Sequence, residues 1–185
     1  QHSETHEKGE DVYLWDILGY EKTPIDGILV SRVKVLKSKR RYEVLLTQGV
    51  HRYYRFLGEF IGDCGAFGYI EREEPPFKTK ETLDYYLKAG FNYGVSIDHL
   101  IVRATMGQKE KRFETTLENA REMYALWQSK DEYISRIRLI GAIQGWDVPS
   151  YRKATRELLR TGYDYIGVGG LARKPTSLIV EIMRG

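Results

Sequence analysis

Three residues of this sequence, Asp63, Asp98 and Gln144, have side chains of the types that recognise a flat, polar ligand. Carboxylates accept hydrogen bonds, whereas a primary amide both donates and accepts them. The combination matches the Watson–Crick edge of guanine, which offers N–H and NH2 donors to carboxylates and a carbonyl oxygen to an amide. A glycosidase also uses a pair of acids, so these residues alone leave the reaction open.

Small residues form turns beside these polar groups. Residues 64–68 (CGAFG) follow Asp63, and residues 169–171 (GGL) follow a later apolar run. Glycines let backbone N–H groups approach a flat ligand closely, and Phe67 offers a ring on which a base can stack. The alternative is an ordinary strand-to-helix turn in which the aspartate only caps the helix.

Five apolar runs lead to these features, and their composition and length predict β-strands. The predicted strands are residues 28–36, 60–62, 93–97, 137–143 and 165–168. The predicted helices run from an N-cap at Ser38 to about Leu57, from an N-cap at Thr79 to Gly90, from about Gly107 through Trp127, between Pro149 and Gly162, and from about Thr176. Alternating strands and helices predict parallel βα units, in which functional groups gather at the carboxyl ends of the strands. We therefore expect the polar groups to share one pocket.

Composition limits the class of protein. The 185 residues are 42% hydrophobic and 30% charged, which is typical of one globular domain with a sizeable core. Residues 1–12 are predicted to be a flexible tail, too polar for a signal peptide, and residues 13–185 the folded domain. We expect a cytoplasmic protein that does not enter the membrane, because no apolar run is long enough to cross a bilayer. The single cysteine, Cys64, excludes an internal disulfide and a multi-cysteine zinc site within these residues.

The helix predicted after Ser38 carries a basic outer face, made of Lys39, Arg40, Arg41, Arg52 and Arg55. A charged outer face is usually just solvated. Contact with a nucleic acid is the alternative, and a net charge of +3 is compatible with either interpretation.

Four segments together resemble the motifs of the tRNA-guanine (queuine) transglycosylases. The agreement in order and spacing runs from about Gly58 to the end of the sequence and includes the helical segment TLENAR at 116–121. The segments are Asp63–Phe67 (DCGAF), similar to DSGGF; Ser96–Asp98 (SID), similar to the second aspartate motif; Ile143–Gly145 (IQG), similar to VQGG; and Tyr165–Ala172 (YIGVGGLA), similar to YAIGGLAVGE.

This resemblance implies a TIM-type (β/α) barrel, of which about five of eight units lie in this sequence, and exchange of guanine in a polynucleotide for a 7-deazaguanine base through a covalent aspartyl intermediate. It implies that Asp63 is the catalytic acid–base group. The implied base-binding residues are Phe67, Asp98, Gln144, Gly145, Gly169, Gly170 and Leu171. The implied partners are DNA or tRNA and the free base.

Several positions depart from the family pattern. Ala66 replaces a glycine, Gly68 a glutamine and Trp146 a glycine, while His99 follows the second aspartate where a glutamate is usual, and residues 173–175 (RKP) replace VGE. The departures favour the branch of the family that places deazaguanines in DNA over the tRNA enzymes.

The family's nucleophilic aspartate and its zinc site are expected outside these residues, so no cofactor is predicted within them, and a second chain or segment is expected to complete the barrel. A noncatalytic base- or nucleic-acid-binding subunit of a two-part transglycosylase is an alternative function. A third hypothesis is a sugar-phosphate barrel enzyme with a phosphate cradle at residues 167–170, although no P-loop lysine supports it.

Overall fold

A computed structural model describes residues 12–102, 104–172 and 174–184. The predicted tail at residues 1–12 lies outside them, apart from its last residue. Five strands form one parallel sheet whose spatial order is the order of the sequence, β1-β2-β3-β4-β5. The strands are β1 (Gly27–Ser31), β2 (Glu59–Asp63), β3 (Tyr93–Val95), β4 (Arg138–Ile143) and β5 (Tyr165–Val168). This α/β architecture confirms the predicted parallel βα units and is compatible with part of a barrel.

Helices connect the strands, because parallel neighbours can be joined only by long crossover connections. They are α1 (Leu14–Leu18), α2 (Arg32–Leu36), α3 (Lys39–Gln48), α4 (Val50–Tyr54), α5 (Thr79–Ala89), α6 (Met106–Gln128), α7 (Asp131–Arg136), α8 (Val148–Thr161) and α9 (Thr176–Arg184). Helix α5 contacts β3, while α6 and α8 contact β4. No helix among the described residues has both the length and the apolar character needed to cross a membrane.

The two faces of the sheet differ in burial. Val30, Phe60 and Leu139 point to the face that the helices cover and are at most 5% exposed. On the other face, the register aligns Leu29 with Ile61 and continues to the other strands. Leu29 is 58% exposed there. Because successive side chains of a strand alternate between faces, the described helices cover one face only, as in the outer layer of a (β/α) barrel.

The first predicted strand is too long. Residues 28–36 were expected to be extended, but β1 ends at Ser31 and residues 32–36 form α2. Arg32 explains this turn, because its buried guanidinium forms an ion pair with Glu81 and a 2.7 Å hydrogen bond to Thr82. The chain must therefore bend towards α5 instead of continuing along the sheet.

The helix predicted from Ser38 to Leu57 is also interrupted. Ser38 caps it as expected, since its Oγ accepts from Arg41 N. Gly49, with φ of 80°, then separates α3 from α4, and Leu57 lies beyond both helices with 82% of its surface exposed. A left-handed φ is readily adopted by glycine, and it ends the helix.

Smaller corrections concern helix ends and one strand end. The N-cap of α5 is Lys78 instead of Thr79, whose hydroxyl donates to Glu122. Thr105 caps α6, which places Gly107 in its first turn. Strand β3 ends at Val95, two residues earlier than expected.

Candidate functional site

Asp63 occupies the last position of β2, beside Ser31 at the end of β1. Its Oδ2 accepts a 2.8 Å hydrogen bond from Gly65 N, where the chain turns with φ of 85°. A side chain at Gly65 would meet Ser31 and Val33, so the turn packs tightly against the start of α2. The carboxylate of Asp63 is thereby held half-buried at the carboxyl edge of the sheet.

Asp98 lies beside Asp63 and is buried, with 7% of its surface exposed. Its Oδ1 accepts from Cys64 Sγ at 3.2 Å, and its Oδ2 accepts from Gln144 Nε2 at 2.6 Å. Donor and acceptor atoms of Asp63, Cys64 and Asp98 lie within 4.8 Å of one another. Three of the predicted site residues, Asp63, Asp98 and Gln144, thus meet at the ends of β2, β3 and β4.

Burial makes both acids weak, and the charge of Asp98 adds to this effect at Asp63. Burial, assisted by the charge of Asp98, raises the pKa of Asp63 to about 6, although hydrogen bonds from backbone N–H groups oppose the shift. Burial also raises the pKa of Asp98, while hydrogen bonds from Cys64 and Gln144 oppose that change. A carboxyl group with a pKa near 6 exchanges protons readily at neutral pH, which suits general acid–base catalysis.

Gln144 is buried. Its amide lies so close to the backbone at residues 169 and 170 that only glycine fits at both positions. A Cβ at Gly169 would collide with Gln144 Nε2, and one at Gly170 would lie 2.9 Å from Gln144 Oε1. Gly170 also has φ of 74°. Tyr151 Oη holds this segment by donating to Gly169 O at 2.8 Å. The predicted glycine pair therefore borders the predicted amide.

One polar atom of this cluster lacks a partner. Gln144 Oε1 is buried and accepts no hydrogen bond from the described residues. A buried acceptor without a partner costs about 1 to 3 kcal/mol, so it marks a place where a ligand donor is favoured.

The remaining predicted site residues lie around the cluster. Gly145 is buried, and a Cβ there would meet the ring of Tyr151 at 2.7 Å. Leu171 is half-buried, and Phe67 is 74% exposed on the 3-10 turn Ala66–Tyr69. The ring of Phe67 is accessible, and its stacking on a base stays a prediction.

Tyr69 belongs to the site but was not predicted. Its hydroxyl lies 2.8 Å from Asp98 O and 2.9 Å from Cys64 Sγ, so it braces the residues that hold the second acid. Burial raises the pKa of Tyr69, which keeps the hydroxyl protonated as a donor. The only signal in the sequence was its place two residues after Phe67 in the same turn.

Arg112 and His99 hold the loops beside the site through hydrogen bonds to the backbone. The sequence analysis predicted no structural role for either residue. Arg112 donates to Leu100 O and Ile70 O, both at 2.8 Å, and His99 Nε2 lies 2.8 Å from Arg72 O. These contacts tie the loop after β2 to the loop after β3. Arg112 lies on α6, and the periodicity of a helix does not show which distant loops its side chain contacts.

Asp63, Cys64 and Asp98 could offer three ligand atoms to a metal ion, but in this structure the Cys64 thiol keeps its proton. A thiol must lose its proton to bind a metal. Burial and the two carboxylates raise the pKa of Cys64 well above its usual value, and the thiol proton is donated to Asp98.

Two surface clefts of about 440 and 660 Å³ lie elsewhere, beside residues 74–79 and beside residues 162–165. Neither cleft is lined by Asp63, Asp98 or Gln144. We therefore place the site by its chemistry and not by the size of a cleft.

Two known proteins are similar to this chain. The DNA-guanine transglycosylase of Salmonella montevideo is 30% identical over an alignment of 183 positions, and the alignment covers 86% of this chain. The tRNA-guanine(15) transglycosylase of Pyrococcus abyssi is 26% identical over an alignment of 155 positions, and the alignment covers 82% of this chain. No protein-family model matches the sequence.

The buried aspartate–glutamine pair and these similarities agree on one class of protein. The chain belongs to the guanine transglycosylase family, which confirms the resemblance seen in the four motifs. It spans 42% of the length of the Salmonella protein and 25% of that of the Pyrococcus protein.

Proposed function

We propose that this chain contributes the base-recognition part of a transglycosylase that exchanges guanine in a polynucleotide for a 7-deazaguanine base. The observation that carries the proposal is the convergence of Asp63, Asp98 and Gln144 at one edge of the sheet, with the contacts described above. The names of the two relatives support the same class of activity.

Base recognition follows from the unused hydrogen-bonding capacity of the cluster. Each carboxylate oxygen has two acceptor sites, so Asp98 retains capacity after binding Cys64 and Gln144. Gln144 Oε1 is a further acceptor without a partner. The N–H and NH2 donors of guanine suit these acceptors, and its carbonyl suits backbone N–H groups near Gly170. Phe67 would stack on the ring.

The exchange balances without a cofactor. The bond between the sugar carbon and guanine breaks, and guanine leaves with a proton on the ring nitrogen that was bound to the sugar. The incoming base loses the equivalent proton as its own bond to the sugar forms. We assign both proton transfers to Asp63, whose pKa of about 6 allows it to give and take a proton near neutrality. The nucleophilic aspartate implied by the family is assigned to no described residue.

We favour DNA over tRNA as the polynucleotide. The 30% identical relative carries the DNA-guanine name, and the same preference came from the departures at Ala66, Gly68 and Trp146. We further propose that additional βα units, in the same chain or another, cover the open face of the sheet and close a barrel. The exposed Leu29 on that face and the greater length of both relatives support this proposal.

A base-exchange assay tests the function. The full-length protein that contains this chain, together with any partner that completes the barrel, should release radiolabelled guanine from an oligonucleotide when an unlabelled 7-deazaguanine base is added. Asp63→Asn should abolish the release, since an amide cannot accept or donate the proton at neutral pH, while circular dichroism stays unchanged. Full release by the variant would remove Asp63 from the mechanism. Base binding without any exchange by the parent would favour the noncatalytic subunit.

A further inference from the structure

The start of α3 concentrates positive charge in this molecule. Residues 27–42 hold six Lys and Arg and no acid, whereas the rest of the chain holds 23 Lys and Arg against 26 acids. Side chains of Lys34, Lys39, Arg40 and Arg41 are exposed. The charge of the chain is therefore strongly asymmetric, with one basic segment on an otherwise slightly acidic molecule.

This segment lies at the edge of the sheet that carries the site. Ser31, which precedes it, pairs with Asp63 in the sheet register. The side chain of Val33 packs on the turn after Asp63, because a Cβ at Gly68 would lie 2.5 Å from Val33 Cγ1. Helix α3 then runs back towards the opposite edge, where Gly49 lies near Ala89 and His51 of α4 contacts Phe60 near the start of β2. The first turn of α3 is therefore the end nearest the site, and α4 is at the far end.

The three cations in the first turn of α3 do not stabilise the helix. Lys39, Arg40 and Arg41 occupy the N-terminal turn of α3, which contains no acid. The dipole of a helix disfavours cations there by about 0.3 to 1 kcal/mol each. Lys39 has one weak partner, Glu43 at 3.9 Å, and neither Arg40 nor Arg41 forms an ion pair with any described residue. Three costly, exposed cations at one place point to a ligand of opposite charge.

The loop that follows Phe67 in the chain is acidic, whereas the segment at residues 27–42 is basic. Glu71, Glu73 and Glu74 are exposed there, and Glu74 pairs with Lys111 at 3.3 Å. A polyanion whose base enters the site is repelled by this acidic loop and attracted by the basic segment, so the charges define a direction across the site.

We infer that Lys34, Lys39, Arg40 and Arg41 form a phosphate-binding surface that holds the polynucleotide backbone on the β1 side of the site. The inference rests on the proposed function for its choice of a nucleic acid. Cations that neutralise phosphates release counterions, so binding should weaken with salt and be nearly independent of sequence. Arg55, counted with this face from the sequence, is excluded because it binds Asp16 at 2.7 Å.

Salt-dependent binding of the natural chain to duplex DNA, single-stranded DNA and tRNA tests the surface. The test variant is Arg40→Gln with Arg41→Gln. The control is Arg52→Gln with Lys88→Gln. It removes two exposed cations, on α4 and near the end of α5, that lie far from the site, and it changes the net charge by the same amount as the test variant. The test variant should reduce the slope of log K against log salt by about 1 to 2, and the control should leave it unchanged. The nucleic acid that the parent binds most tightly at one fixed salt concentration identifies the polynucleotide.

Calorimetric titration with guanine separates this inference from the proposed function. Guanine affinity should be the same in the parent and both variants, because the basic segment does not touch the base. Equal slopes in the test and control variants, or a parent that binds none of the three nucleic acids, would overturn the surface. Loss of guanine binding in the parent would instead contradict the base pocket, and the comparison of slopes would still decide the surface.

Discussion

The Nε2 atom of Gln144 lies 2.6 Å from Oδ2 of Asp98, although the two residues are 46 positions apart in the sequence. Each follows a different strand, so the parallel sheet alone brings them together. The pair is buried and one amide oxygen remains without a partner. A fold that needed only stability would favour apolar side chains here, because buried polar groups cost free energy unless they are paired.

Replacing Asp63 should stabilise the protein in a pH-dependent way. The native pKa of about 6 lies above the usual 3.8, so the native state binds the proton more tightly than the unfolded state. Stability therefore falls as pH rises from about 4 to 6, and Asp63→Asn removes this loss, worth at most about 2 to 3 kcal/mol at pH 7. Urea unfolding of both proteins at pH 4.5 and 7 measures the gain, which should shrink at the lower pH. A gain of equal size at both values would contradict the raised pKa.

Gly169→Ala should weaken base binding by displacing an amide. The new Cβ collides with Gln144 Nε2, which breaks the contact with Asp98. Loss of one such hydrogen bond costs about 1 to 3 kcal/mol, or roughly one to two orders of magnitude in affinity for guanine. Gly107→Ala is the matched control, since a Cβ there meets no atom within 4 Å and alanine favours the helix. Calorimetry in which both variants bind guanine like the parent would show that the Gln144 amide is not needed.

Cys64 is expected to orient Asp98 through its thiol. Cys64→Ala removes the donor to Oδ1 and leaves a small cavity, so we expect a loss of about 1 to 3 kcal/mol in unfolding free energy and weaker guanine binding. Cys64→Ser keeps a donor and should retain the guanine affinity better than alanine. If serine and alanine weakened guanine binding equally, the hydrogen bond would have no role in orienting the acid.

Much of the site could be predicted because its functional side chains lie at or just after the carboxyl ends of the strands. Apolar runs that stop at Asp63 and Gln144 identify both residues as members of the carboxyl edge. Cap residues predict α5 and periodicity predicts α6, whereas α7 was not predicted. The same reasoning located the glycines at 169 and 170. These features depend on local sequence and on one general rule about parallel sheets.

The features that the sequence did not predict correctly depend on contacts between distant segments. Residues 32–36 are rich in β-branched residues, yet Arg32 bends the chain through its ion pair with Glu81, 49 positions away. The role of Tyr69 depends on its reaching Asp98 across a turn, and that of Arg112 on two loops that meet only in the fold. Intrinsic propensity carries no information about such pairs.

Calorimetric titration of guanine against the parent and Asp98→Ala tests the base pocket most directly. If Asp98 accepts from the donors of the base, the variant leaves them unpaired, and affinity should fall by about one to two orders of magnitude. Affinity for adenine, which lacks those donors, should be almost unchanged. Equal guanine affinities in two proteins with the same circular dichroism would mean that Asp98 serves the fold alone and that this edge of the sheet is not a guanine site.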